Sequence, residues 1–138
     1  MTALFADTFY WIALADFTDS AHHRALAITA EWPASPMVTT DEALAEHLTF
    51  FSTAPAQLRS GAAASVQGIL ANPATRVIPQ SRDSFIPGPQ RYTQRPDKRN
   101  RLTGCISMQT MRREGLTVAL ANDRHSEQEG FRALFRDP

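Results

Sequence analysis

The sequence predicts an α/β domain built on a mainly parallel sheet of four or five strands. Short apolar runs alternate with longer segments in which apolar residues recur every three or four positions, the order expected of βαβ units. Acidic residues follow two of the predicted strands directly, at the edge where open parallel sheets place their chemistry. With 138 residues and 43% hydrophobic content, we expect residues 1–138 to form a single domain.

The amino-terminal part of the chain predicts one βαβ-like unit of parallel type. Pro33 and Pro36 end its last helix. Asp7 closes the first strand, and its carboxylate is expected either to join a site at the sheet edge or to cap the following helix. The expected elements are a strand at 2–7, helices at 8–14 and 21–32, and a strand at 37–40.

The helix predicted after the second strand has a clear core side. We expect this helix to begin at a cap on Thr40 or Asp41. Its apolar positions recur at i, i+4 and i+7, and we expect them to pack into the core. These positions are Leu44, Leu48 and Phe51.

Glu46 lies on another side of that helix, where Ala43 and Phe50 are its neighbours at helical spacing. Its carboxylate is therefore expected to be embedded among small and apolar side chains, although a solvated surface position also fits the spacing. An embedded acid needs a partner, and a metal ion is one candidate.

The middle of the chain predicts an alanine-rich helix at 56–72 and a third strand at 75–78. Ser81 is expected to start a short helix that reaches Ile86. Pro87-Gly88-Pro89 then removes two backbone donors, and a proline inside a helix costs roughly 3 kcal/mol or more. We therefore expect a loop through Gln94.

The carboxyl-terminal part predicts a buried helix and a fourth strand. Thr103 is a candidate cap for this helix, and Gly115 supplies its stop. Asp123 follows the fourth strand as Asp7 follows the first. The expected elements are a helix at 102–114, a strand at 116–121, a short helix at 126–128 and a closing strand around 131–135.

Charge is unevenly distributed, although the formal net charge is zero. Residues 1–75 hold seven acidic and two basic residues, so the balancing positive charge lies in the remainder. Part of it forms a basic cluster that fits a phosphate backbone and fits a solvated loop equally well. The cluster consists of Arg91, Arg95, Lys98, Arg99 and Arg101.

Two features indicate a cytoplasmic protein that does not enter a membrane. The single Cys105 cannot form an intramolecular disulfide, and no Cys/His cluster has zinc spacing. The apolar segment at 3–14 lacks a basic flank and carries Asp7. It therefore predicts a core element, and neither a signal peptide nor a membrane span.

Asp7, Glu46 and Asp123 occupy equivalent places, because each follows a predicted strand or lies on the helix after one. A parallel sheet brings such places together. Carboxylates at close range repel each other unless a cation neutralises them, and an oxygen-only ligand set suits Mg²⁺ or Mn²⁺. Phosphodiester hydrolysis is the matching chemistry.

Four segments in this order resemble the motifs of PIN-domain ribonucleases, and especially those of VapC-like toxins. Together they span nearly the whole chain, and although each is weak alone, their order and spacing make the resemblance strong. The segments are Phe5-Ala6-Asp7-Thr8, Thr39 to Glu46, Asp97 to Ser107, and Asn122 to His125 with Gln128 to Phe131.

The resemblance implies a three-layer α/β/α PIN domain and a Mg²⁺- or Mn²⁺-dependent endoribonuclease. It implies catalytic and metal-binding roles for Asp7, Glu46 and Asp123, and Asp97 matches an acid often found before the corresponding helix. VapC-like toxins usually cleave tRNA, rRNA or mRNA, form dimers, and are silenced by an antitoxin whose tail enters the site. The same partners are implied here, with the basic cluster facing the RNA.

Two departures from the family pattern bear on activity. Family members generally carry an aspartate that is a principal metal ligand where this chain has Gly104. Its loss predicts weaker metal binding and weaker catalysis unless Asp97 or water takes its place. Pro87-Gly88-Pro89 also interrupts what is ordinarily a continuous helix.

Two other functions fit parts of the pattern. A catalytically silent PIN domain that binds RNA or an antitoxin is consistent with Gly104. A receiver-like signalling domain needs paired acids near its first strand and an aspartate after its third, whereas Thr8 follows Asp7 and Pro79 follows the third strand. The sequence therefore favours the endoribonuclease.

Overall fold

The computed structural model describes residues 2–94 and 101–138. Within these ranges, five parallel strands form one sheet in the order β3-β2-β1-β4-β5. The predicted parallel α/β architecture is therefore confirmed. The strands are β1 (Leu4–Ala6), β2 (Met37–Thr40), β3 (Thr75–Ile78), β4 (Val118–Leu120) and β5 (Arg132–Ala133).

Helices connect the strands, as parallel pairing requires. The predicted helices all form, with bounds within a few residues of those expected. They are α1 (Thr8–Ala15), α2 (His22–Glu31), α3 (Asp41–Phe50), α4 (Ala56–Ala71), α5 (Arg82–Phe85), α6 (Pro87–Gln94), α7 (Leu102–Glu114) and α8 (Arg124–Gln128). None of them is long and apolar enough to cross a membrane.

Apolar side chains pack on both faces of the sheet. Successive residues of a strand point to opposite faces, so Leu4 and Ala6 join one core while Phe5 joins the other. The first core includes Ile28 of α2, and the second includes Met108 of α7. Helices therefore cover the two faces, which confirms the three-layer arrangement.

The loop predicted over 87–94 was wrong, because these residues form α6. Pro87 and Pro89 lie in the first turn, where backbone N–H groups have no helical acceptor and a missing donor costs nothing. Gly88 is buried, and a Cβ atom there would come within 2.9 Å of Leu102 on α7. The Pro-Gly-Pro motif thus starts a helix that packs closely against α7.

The core stripe predicted for α3 is partly wrong. Leu44 and Phe51 are buried, but Leu48 is 39% exposed and His47 is fully buried in its place. Both residues fit a helical stripe between Leu44 and Phe51, and hydrophobicity favoured the leucine. Of the two residues predicted to cap α3, Thr40 is the cap, because its hydroxyl accepts the Ala43 N–H.

Two predictions near the carboxyl terminus also need correction. The helix α7 begins at Leu102 without a side-chain cap, so Thr103 lies inside its first turn. The closing strand is only Arg132–Ala133, and Leu134–Arg136 form a 3₁₀ turn. This turn brings the ring of Phe135 against that of Phe9, with 5.0 Å between their centroids.

The buried His47 is expected to make the folded protein sensitive to acid. Neither ring nitrogen has a hydrogen-bond partner among the described residues, and burial lowers the pKa of His47 below its usual 6.5. Below pH 6.5 the unfolded chain therefore binds a proton that the folded state excludes. The free energy of unfolding should fall by up to about 1.4 kcal/mol per pH unit from this group.

Urea unfolding at pH 7.5 and pH 5.5 measures this effect. We expect His47→Leu to gain stability relative to the unmodified chain at the lower pH, while His23→Gln, which changes an exposed histidine on α2, should not. An identical pH dependence for His47→Leu and the unmodified chain would contradict the prediction.

Candidate active site

The candidate site lies between β1 and β4, where the order in which the chain adds strands to the sheet reverses. The chain leaves β1 toward β2 on one side, and β4 lies on the other side. Clefts form outside the carboxyl ends of strands at such a switch point. Because Ala6 pairs with Leu120, Asp7 at the end of β1 and Asp123 after β4 reach the same edge.

A cleft of about 480 Å³ opens at this edge. Asp7, Glu46 and Asp123 all line it, so the structure brings together the three acids predicted from strand ends. Glu46 is half-buried on α3. Asp97 lies outside the described residues.

Asp7 is strongly affected by its surroundings. The pKa of its carboxyl is raised from 3.8 to about 7, chiefly by burial, then by the negative charge of Asp123 and less by that of Glu46, while the Thr8 backbone N–H partly offsets the rise. The side chain makes no cap hydrogen bond to α1, so capping does not explain its position. A bound cation would favour the ionised form and lower this pKa.

Asp123 has a structural role as well as a place in the cleft. One of its carboxylate oxygens accepts the Ser126 N–H at 2.9 Å and caps α8. The other oxygen makes no hydrogen bond within the described residues, so it remains available to a ligand. The cap fixes the carboxylate at the sheet edge.

The donor chemistry of the cleft suits Mg²⁺ or Mn²⁺, because its acids offer only hard oxygen ligands. The spacing of these acids does not form a finished metal site. Within residues 2–94 and 101–138, no three His, Cys, Asp or Glu side chains are grouped closely enough to hold a metal ion. The negative charge of Asp123 raises the pKa of Asp7 more than the charge of Glu46 does. Asp7 therefore interacts more strongly with Asp123 than with Glu46.

Gly104 lines the cleft and also a small recess that continues from it. A Cβ atom built on Gly104 would have no neighbouring heavy atom within 4 Å, among the described atoms outside its own helical backbone. Ser107, one turn further along α7, lines the same recess, and its buried Oγ has no hydrogen-bond partner in the described chain. The position therefore has room for a carboxylate and a donor beside it.

Two residues of the basic cluster, Arg91 and Arg101, lie in the described part of the chain, and they occupy different places. Arg101 is exposed and lines the cleft. Arg91 lies on α6 and does not line the cleft. Its positive charge acts on Cys105 of α7, where it partly offsets the rise in the pKa of the thiol that burial causes. Arg95, Lys98 and Arg99 lie outside the described residues.

Part of the cleft was not predicted from the sequence. Its wall beyond the acids is apolar and aromatic, with one further carboxylate, and it is formed by residues that helix packing brings together. His125 also lines the cleft, and its buried Nδ1 has no partner among the described residues. The unpredicted apolar and acidic residues are Phe9, Ile12, Asp19 and Phe50.

The architecture matches that of VapC20 from Mycobacterium tuberculosis, a toxin that cleaves the sarcin-ricin loop. The TM-score is 0.82 at 23% sequence identity, over 93% of this chain and 95% of VapC20. This chain has the fold of a VapC toxin. The fold predicted from the PIN-domain resemblance is thus confirmed, while no protein-family model and no curated protein matches the chain. In this VapC fold, the acid-lined cleft lies at the switch point of the sheet.

Proposed function

We propose that this chain is a toxin of VapC type, a metal-dependent endoribonuclease whose activity Gly104 weakens. The observation that carries the proposal is the meeting of Asp7, Glu46 and Asp123 in one cleft at the switch point of the sheet. The fold shared with VapC20, an RNA-cleaving toxin, supports the same reaction class. The proposed reaction is hydrolysis of an RNA phosphodiester bond.

Asp7 and Asp123 would hold Mg²⁺ or Mn²⁺, with Glu46 as a more distant ligand and Asp97 as a further candidate. A bound divalent cation supplies the charge that activates water and stabilises the leaving oxygen. Asp7 contributes a half-buried carboxylate that gains a counter-ion on binding, and the cap on α8 keeps Asp123 in position. Arg101 offers a positive charge to the RNA backbone at the rim.

The same resemblance supports the proposed partners. We expect a cognate antitoxin to cover the cleft, and two copies of the chain to form a homodimer in the cytoplasm, where the RNA substrate lies. Gel filtration with light scattering measures the dimer. A search for a small open reading frame immediately upstream, followed by co-expression of its product with this chain, tests the antitoxin complex.

RNA cleavage tests the nuclease proposal. Total bacterial RNA is incubated with Mg²⁺ or Mn²⁺ and the new 5′ ends are mapped, so that no target needs to be assumed. We expect slow, metal-dependent cleavage by the unmodified chain, faster cleavage by Gly104→Asp, and none when Asp7→Ala is added to Gly104→Asp.

Asp83→Ala is the matched control, because Asp83 is an exposed acid on α5 away from the cleft. If Gly104→Asp gives no metal-dependent cleavage that Asp7→Ala abolishes, the nuclease proposal is wrong. The absence of a carboxylate at Gly104 favours a second function in that case, a catalytically silent PIN domain that binds RNA or an antitoxin. Binding of either partner without measurable Mn²⁺ affinity would identify it.

A further inference from the structure

The cleft extends beyond the acids along α1 and α3, and its two parts differ in chemistry. Asp7, Glu46 and Asp123 form the acidic part. The other part is walled by Phe9, Ile12 and Phe50, with Asp19 in the segment between α1 and α2. We propose that this second part is a subsite for one unstacked nucleobase of the RNA; the proposal rests on the ribonuclease function above.

Phe50 presents an exposed ring on a rigid support. Its side chain is 57% exposed, although it lies one helical turn after Glu46 and on the same side of α3. The ring packs edge-on against buried Phe51 at 5.0 Å between centroids, and Phe51 packs edge-on against buried His47 at 5.2 Å. An aromatic face that is held in place and exposed in a cleft is the platform that single-stranded RNA bases stack on.

Phe9 and Ile12 supply the apolar surface on the α1 side. Phe9 is half-buried and is itself held edge-on by Phe135 at 5.0 Å. A base that enters between α1 and α3 would therefore contact apolar surface from both helices. Because Glu46 precedes Phe50 by one turn, the stacked base would adjoin the acids, as a nucleotide beside the scissile bond must.

Asp19 gives this subsite a means of selecting bases. One carboxylate oxygen accepts the Ala21 N–H at 2.8 Å, and the other makes no hydrogen bond within the described residues. An ionised carboxylate only accepts hydrogen bonds. It therefore favours guanine, cytosine and adenine, which present an exocyclic amino group, over uracil, whose donor is the ring N3–H.

The charge of the cleft fits RNA when a cation occupies the acidic part. Arg101 lines the cleft and can pair with a phosphate, while Phe9, Ile12 and Phe50 are uncharged and Asp19 adds one carboxylate to their part of the cleft. A peptide partner would use the same apolar wall but would not depend on an aromatic face. If binding requires an aromatic ring at position 50, the occupant is therefore an RNA base and not a peptide.

Binding of short RNAs that contain 2-aminopurine tests the subsite. The chain carries Asp7→Asn to prevent cleavage, and position 50 is Phe, Trp, Leu or Ala. We expect Phe50→Ala to weaken RNA binding roughly 5- to 100-fold and to abolish the quenching of 2-aminopurine by stacking. Phe50→Trp should retain both, whereas Phe50→Leu should lose the quenching.

Leu48→Ala is the matched control, since Leu48 is an exposed apolar residue of α3 that does not line the cleft. Asp19→Asn should reduce the preference against uracil, because an amide also donates hydrogen bonds. If Phe50→Ala binds RNA as Leu48→Ala does, or weakens only an antitoxin complex, the nucleobase subsite is wrong. Metal-dependent cleavage in the mapping experiment would leave the nuclease proposal standing in that case.

Discussion

Gly104→Asp is expected to raise the affinity for Mn²⁺ at least about 10-fold, the scale seen when groups supporting a metal site are lost or gained. The new carboxylate would enter open space at the wall that Gly104 shares with Asp7 and Asp123. Ser107 Oγ is buried there, has no hydrogen-bond partner among the described residues, and can donate a hydrogen bond to the new carboxylate. Titration calorimetry with Mn²⁺ measures the change without reference to catalysis.

Gly104→Asn and Gly104→Ala are the matched controls for this change. Asparagine has almost the shape of aspartate without its charge, and alanine tests the gain in helix propensity, which is up to about 1 kcal/mol over glycine. We expect both to stabilise α7 without a comparable gain in Mn²⁺ affinity. Equal affinity for the aspartate and asparagine variants would show that position 104 does not contact the metal.

Asp7→Asn is expected to stabilise the metal-free protein at pH 8 by up to about 4 kcal/mol. The pKa of Asp7 is about 7 in the folded chain, against an ordinary 3.8. The folded state thus holds its proton more tightly than the unfolded state. The stability that this provides is complete below pH 3.8 and is lost as pH rises through 7. Asparagine never ionises, so it avoids the loss.

Thermal unfolding in EDTA, followed from pH 8 toward pH 4, measures this difference. We expect the gap between Asp7→Asn and the unmodified chain to shrink as the pH falls through 7, and Asp83→Asn to show no such gap. Added Mn²⁺ should stabilise the unmodified chain and leave Asp7→Asn unchanged. A lower melting temperature for Asp7→Asn at pH 8 would mean that the carboxylate stabilises the empty site.

Much of the fold follows from local sequence. The strands β2 and β3 match their predicted bounds, because each is a short β-branched run that begins just after a proline. The acids Asp7 and Asp123 could be placed at one edge because parallel strands end together. The alternation of strands and helices predicts this parallel arrangement, whereas the adjacency of β1 and β4 is known only from the structure.

The rest of the site depends on how helices pack, which periodicity does not specify. Phe50 and Asp19 line one cleft because α1 and α3 pack together, and the sequence does not predict that packing. His47 displaced Leu48 from the core because the rotation of α3 is set by its neighbours. The helix α6 was missed for a local reason, since a Pro-Gly-Pro motif both breaks a helix and starts one.

The open space at Gly104 separates the chemistry of the cleft from the folding of the chain. A Cβ atom at position 104 would meet no described side chain or distant backbone atom within 4 Å, so we expect a carboxylate to be added or removed there without repacking the core. Some glycine codons become aspartate codons by a single nucleotide change. Under the proposed function, a population that carries this gene would therefore lose or regain a strong nuclease in one mutational step, while the chain would keep the surface that an antitoxin recognises.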